Sequence, residues 1–190
     1  MTIKLVGIVG AGTMGNGIAQ ACAVAGIDAL ILDVNAVALE KGVATISGSL
    51  DRLLKKEKIT VEQKAVAMAR VKTTQTLTDL AACDYVIEAA TENEGLKIKI
   101  LKDLDAALKP ETIIATNTSS ISITQLAAAT KRPDRFIGMH FFNPVPMMAL
   151  VELIRGLATS DATLAVAKDF SVALGKTPDR KSTRLNSSHG

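Results

Sequence analysis

The chain has 190 residues, 48% hydrophobic and 22% charged, with a net charge of +3 and aromatic rings at only 3%. That is ordinary globular material, long enough for one good-sized domain with its own core. So few rings and so small a positive charge argue against a nucleic-acid surface, and no apolar stretch is long enough to span a bilayer.

Met1 runs almost at once into an apolar strand near residues 3–9, which leaves no room for a targeting peptide. Next comes Gly10-Ala11-Gly12-Thr13-Met14-Gly15, and then an amphipathic helix over 12–25. Strand, glycine turn and helix in this order form the setting in which such a fingerprint binds a dinucleotide. Gly10 permits the tight turn, Gly12 lets a pyrophosphate approach the backbone, and Gly15 lets the helix pack on the sheet. The phosphates would face the helix N-terminus and the positive end of its dipole. A second strand near 28–33 ends at Asp33, twenty-three residues after Gly10. A carboxylate there suits the two hydroxyls of an adenosine ribose and repels a 2′-phosphate. With no arginine at 34 or 35, the expected cofactor is NAD rather than NADP. A turn or helix cap is the plainer role for Asp33.

Residues 36–70 are too long for one crossover and are expected to form a protruding helical pair, 36–56 and 61–69. Lys55, Lys56 and Lys58 cluster at its turn. They are either a solvated helix end or a clamp for a phosphorylated substrate. Strands near 84–90, 112–116, 136–141 and 149–154 then alternate with helices over 95–108, 122–129 and 161–174. This predicts an α/β fold of the Rossmann type, with a doubly wound, mostly parallel sheet and ligands at the strands' carboxyl ends. Cys22 and Cys83 read as small buried hydrophobes in a reducing, cytoplasmic setting, not as a disulfide framework or metal site. The segment 179–190 is polar and aperiodic. It is read as a disordered or foreign tail beyond a 1–178 domain, and His189 in it is given no role.

Three strand-end segments carry polar residues that a core does not need: Asn117-Thr118-Ser119-Ser120, His140-Phe141-Phe142-Asn143-Pro144, and Glu152 within Leu150-Val151-Glu152-Leu153-Ile154. An imidazole titrates near neutral pH and suits proton transfer. A carboxylate among Leu, Val and Ile is costly unless paired, and His140 is a fitting partner for Glu152. Plainer roles exist for each. His140 could be a satisfied core residue, Glu152 an exposed edge position, Ser119 a helix cap and Asn143 the start of a turn.

These segments, with the glycine run and Glu92-Asn93, stand in one order over residues 1–178. Together they resemble the NAD-binding domain of 3-hydroxyacyl-CoA dehydrogenases. The resemblance implies that His140 is the general base for the 3-hydroxyl and that Glu152 orients it. It also implies that Ser119 bonds the reacting hydroxyl and touches the cofactor, and that Asn143 binds nicotinamide and substrate. Glu92 and Lys97, with Lys99 close by, would contact NAD. Ser49 and Lys56 would bind the CoA moiety, whose phosphates need cations. Family members continue into a helical C-terminal domain that builds the dimer and the far wall of the cleft. Neither the domain nor its dimer interface is seen in this sequence, so the chain alone is expected to bind NAD and turn over weakly or not at all. The rival readings are a non-catalytic NAD-binding module and a dehydrogenase of small free hydroxy acids. The latter needs a cationic group for its substrate; Arg132, Arg135 and Arg155 flank the motif.

Overall fold

The computed structural model describes residues 1–181. Among them, eight strands form one sheet in the order β3-β2-β1-β4-β5-β6-β7-β8. The strands are β1 Leu5–Val9, β2 Asp28–Leu32, β3 Val71–Thr74, β4 Tyr85–Glu88, β5 Ile113–Thr116, β6 Phe136–Phe141, β7 Leu150–Arg155 and β8 Thr177–Lys181. The helices are α1 Thr13–Val24, α2 Ala36–Lys55, α3 Val61–Ala69, α4 Glu94–Ala107, α5 Ile123–Ala127 and α6 Asp161–Ala173. Strands β3 through β6 run parallel; β7 is antiparallel to β6 and parallel to β8. The expected mostly parallel, doubly wound sheet is therefore what the chain forms.

The period-two geometry of a strand divides its side chains between the two faces. Val6 and Ile8 of β1, Tyr85 and Ile87 of β4, and Ile113 and Ala115 of β5 join one core cluster with Ile18, Leu39, Ile46 and Phe170 from the helices. Val9, Val86 and Ile114 point the other way, into a second cluster with Leu101, Leu104 and Leu126. Coverage on both faces explains why these strands read as continuous apolar runs rather than alternating ones. Each fully buried Ile or Leu contributes about 1.5–3 kcal/mol.

The helical pair α2–α3 stands where the spacing placed it, α3 opening with a capping box between Thr60 and Gln63. Two strands escaped sequence reading. β3, of sequence VKTT, is short and half exposed, and it lies on the sheet edge with no apolar run to mark it. β8 corrects the expected start of the tail: Thr177–Lys181 pairs with β7, so Asp179, Arg180 and Lys181 lie within the sheet. A polar sequence serves there because β8 is the other edge and must match only the backbone of β7. The rest of the expected tail, with His189, lies outside the described residues.

Candidate functional site

The parallel register puts every polar strand end on one side of the sheet. Val9 stands beside Leu32 of β2 and Glu88 of β4; Glu88 stands beside Thr116, and Thr116 beside Gly138. Gly10, Asp33, Ala89 and Asn117 follow directly at the carboxyl ends, with His140 two residues beyond Gly138 on the same side. A doubly wound sheet places its ligands along this rim.

At one end of the rim is the glycine turn. Gly10 has φ +107°, a conformation that glycine adopts freely and an L side chain rarely does. An added Cβ at Gly15 would lie 1.8 Å from the carbonyl oxygen of Gly10, whereas one at Gly12 would meet nothing within 4 Å. So Gly15 is required by packing, and Gly12 leaves open space. The remaining α-helices among the described residues have a side-chain cap at Asn35, Thr60, Asn93, Ser122 or Ser160. α1 begins at Gly12 with no side-chain cap. Its first turn is thus ready for an anionic oxygen, and these residues fit a dinucleotide pyrophosphate. Asp33 serves the turn as well. Its Oδ2 accepts the Ala11 N–H at 3.0 Å and its Oδ1 accepts the Asn35 N–H at 2.9 Å.

In the middle of the rim, Glu92 Oε2 accepts from Thr118 Oγ1 at 2.9 Å and from Ser120 Oγ at 2.8 Å. Asn117 Oδ1 accepts the Phe141 N–H at 2.8 Å, tying the loop after β5 to the strand that carries His140. Lys97 is buried and its Nζ lies 2.6 Å from Glu88 Oε1. Lys99 instead pairs with Asp103 at the surface. Of the two lysines, it is Lys97 that reaches the rim, where it lines a cleft with Met14, Ala90 and Asn117.

At the far end His140 and Glu152 are register partners across β6 and β7. Nδ1 lies 3.3 Å from Oε1, and the two side chains are 20% and 21% exposed. Burial works against ionisation of Glu152, but hydrogen bonds and charge from His140 and Lys181 hold its carboxyl below the ordinary range. A carboxylate only accepts, so Nδ1 is the donor of this contact; in a neutral ring that arrangement leaves the lone pair on Nε2. Phe142 packs on the imidazole with ring centroids 4.5 Å apart. A cleft is lined by His140, Glu152, Ser119, Thr118 and Arg155. β7 is not an edge, so the edge-strand role for Glu152 falls away. Ser122, not Ser119, caps α5. Asn143 does stand at a turn, where Pro144 O accepts the N–H groups of Met147 and Met148.

The family is decided by comparison. The chain matches the family described as 3-hydroxyacyl-CoA dehydrogenase, NAD binding domain, over residues 5–180. It belongs to that family. It is 57% identical over 174 residues to a 3-hydroxybutyryl-CoA dehydrogenase of Bradyrhizobium diazoefficiens, covering 92% of this chain and 59% of the relative. It is 43% identical over 171 residues to a fatty acid oxidation complex subunit alpha of Acinetobacter baylyi, covering 90% of this chain and 24% of that one. The crystal structure of (S)-3-hydroxybutyryl-CoA dehydrogenase PaaH1 from Ralstonia eutropha superposes with a TM-score of 0.95 at 59% identity, covering 98% of this chain and 68% of that chain. The chain thus spans about three fifths of the Bradyrhizobium relative's length. The NAD expected from the glycine turn is the cofactor of the family.

Ser49 and Lys56 are not brought to the His140 cleft. Ser49 accepts from Gln20 Nε2 at 2.9 Å on the α1-facing side of α2, and Lys56 lies at the exposed end of that helix. Arg132 is no substrate clamp; its guanidinium is buried on the carbonyls of Asp105, Lys109 and Thr112 at the end of α4. Arg135 binds the Glu111 carbonyl. Arg155 lines the His140 cleft while engaging Thr159 O and Asp161. Cys22 and Cys83 are free and buried, and burial pushes each thiol up to about 12. No helix among the described residues is long and apolar enough to cross a membrane. Sequence reading placed Asn117 and Thr118 at a polar strand end but missed Glu88, as well as the bonds from Asn117 to Phe141 and from Thr118 to Glu92. A glutamate closing an apolar strand nine residues before a lysine was the available signal for Glu88.

Proposed function

We propose that this chain carries the dinucleotide half of an NAD-dependent oxidation of (3S)-3-hydroxyacyl-CoA, of the 3-hydroxybutyryl-CoA type, to 3-oxoacyl-CoA. The observation that carries the proposal is the His140–Glu152 pair, held on the same sheet rim as an uncapped glycine turn. Bound NAD supplies the acceptor for the hydride that leaves C3. His140 Nε2 takes the proton of the 3-hydroxyl. Glu152 fixes the ring through Nδ1 and stabilises the imidazolium that results. Ser119, which lines the same cleft, donates to the substrate oxygen, and Asn143, three residues beyond His140, binds nicotinamide and substrate. Gly10 through Gly15 and Asp33 hold the adenosine diphosphate portion, Glu92 and Lys97 hold the other ribose, and Ser49 and Lys56 receive the CoA moiety at α2. The relatives' names support the substrate class, and the two unpaired thiols suit a cytoplasmic setting.

The test is NADH formation under stoichiometric chain with (S)-3-hydroxybutyryl-CoA and, separately, free 3-hydroxybutyrate. A slow signal with the thioester alone, abolished by His140→Gln with NAD affinity kept, is expected. Equal rates on the free acid overturn the substrate class. Turnover that survives His140→Gln overturns the role of His140, and NAD binding with no NADH formed from either substrate returns the chain to a binding module.

A further inference from the structure

We propose that Glu88 is a positioning residue for cofactor binding: it aims the Lys97 ammonium at the dinucleotide. The inference rests on reading Lys97 as an NAD contact and adds what makes that contact possible. Glu88 closes β4 and is wholly buried, and Lys97, nine residues on in α4, is 1% exposed. Oε1 of Glu88 lies 2.6 Å from Lys97 Nζ and also accepts from Thr116 Oγ1 at 2.8 Å. Oε2 accepts the Ala90 N–H at 2.9 Å. One carboxylate thus joins β4, β5, α4 and the loop that follows β4.

Buried ion pairs are poor stabilisers, and apolar replacements of similar volume are often no less stable. A pair retained here points to what the charge does. An ammonium has three donors. Among the described residues Glu88 is the only hydrogen-bond partner of Lys97 Nζ. Two donors remain in a cleft lined by Met14, Ala89 and Asn117. Met14 belongs to the first turn of α1, so this cleft continues the glycine turn along the rim. It is placed for the half of the dinucleotide beyond the pyrophosphate, whose ribose hydroxyls and phosphate oxygens are acceptors. Without Glu88 a flexible lysine has no reason to hold its charge at that spot, since four methylenes give it many rotamers.

The test compares NAD with ADP, because ADP lacks the part of the dinucleotide that this cleft would hold. Dissociation constants of both are measured by calorimetry for the unaltered chain, Glu88→Gln and Glu88→Asp; the aspartate keeps the buried charge pair where the glutamine variant fails to fold. The expected result is a loss of NAD affinity of about tenfold with ADP unchanged within about twofold. Adding Glu88→Gln to Lys97→Met is expected to cause no further loss. The proposal is overturned by a folded Glu88 variant that binds NAD normally, by NAD and ADP affinities falling together, by a further loss in the Lys97→Met background, or by failure of both Glu88 variants to fold, which assigns the residue to the fold alone. An unaltered chain that binds ADP but not NAD overturns the reading of Lys97 as well, and one that binds neither overturns the dinucleotide site.

Discussion

Changing Gly12 or Gly15 to alanine separates packing from ligand approach within a single turn. At Gly15 the new Cβ would stand 1.8 Å from a backbone carbonyl oxygen, while contacts below 3.0 Å are essentially never seen, so α1 must move by more than an ångström. Overpacking of this kind costs about 1–3 kcal/mol, and in a domain of this size each kcal/mol lowers Tm by roughly 2–4 °C. At Gly12 the Cβ meets nothing within 4 Å and φ is −67°, which alanine adopts without strain. Alanine caps a helix less well than glycine but loses less chain entropy, and these effects of about 0.5–1 kcal/mol oppose each other. Gly12→Ala is therefore expected to keep Tm within about 2 °C. The same methyl group occupies the approach to the uncapped first turn. Losing one or two charge-assisted hydrogen bonds there weakens NAD by about 10- to 100-fold. Thermal unfolding and calorimetric NAD titration of both variants give the comparison. A Gly12→Ala chain that binds NAD like the unaltered one would show that the phosphates do not come to this backbone, and the cofactor placement would fall.

Three further outcomes are expected. Glu152→Gln keeps the shape of the pair but removes the anion that steadies the imidazole, so single-turnover NADH formation drops on the order of 10²-fold while NAD affinity holds; an undiminished rate would separate Glu152 from the chemistry. Lys56→Ala weakens coenzyme A binding by about five- to tenfold, less at high salt, with NAD affinity unchanged; an unchanged affinity would make the α2 lysines a solvated helix end. Burial opposes ionisation of Asp84, but the N–H groups of Lys4 and Leu5 and the Lys109 ammonium hold its carboxyl below the ordinary range. Its stabilisation is therefore present above the unfolded value of about 3.9 and is lost as pH falls through the folded one. The Tm difference between the unaltered chain and Asp84→Asn is expected to shrink below about pH 4, and a constant difference would refute the assignment.

What could be read from the sequence followed from how strongly each residue's role constrains its type. Strands covered on both faces must be apolar, so β1, β2, β4, β5, β6 and β7 stood out, while the edges β3 and β8 need only backbone pairing and gave no pattern. Glycines forced by a positive φ or a close carbonyl, as at Gly10 and Gly15, could be assigned roles. The pairing of His140 with Glu152 was anticipated because a carboxylate in an apolar strand needs a partner. Glu88, and the partners of Asn117 and Thr118, were missed because these hydrogen bonds join segments 24–28 residues apart, and no local spacing records a contact made by sheet register.

The reversal of β7 sets a limit on what can disturb the His140–Glu152 pair. Directly opposed residues on adjacent antiparallel strands keep their Cβ atoms about 4.5–5.5 Å apart through the ladder itself. Side-chain changes at the exposed Met147 and Met148, in the segment that links the two strands, therefore leave that spacing unaltered. A one-residue slip of the ladder, by contrast, would turn Glu152 to the opposite side of the sheet and separate the pair in one step.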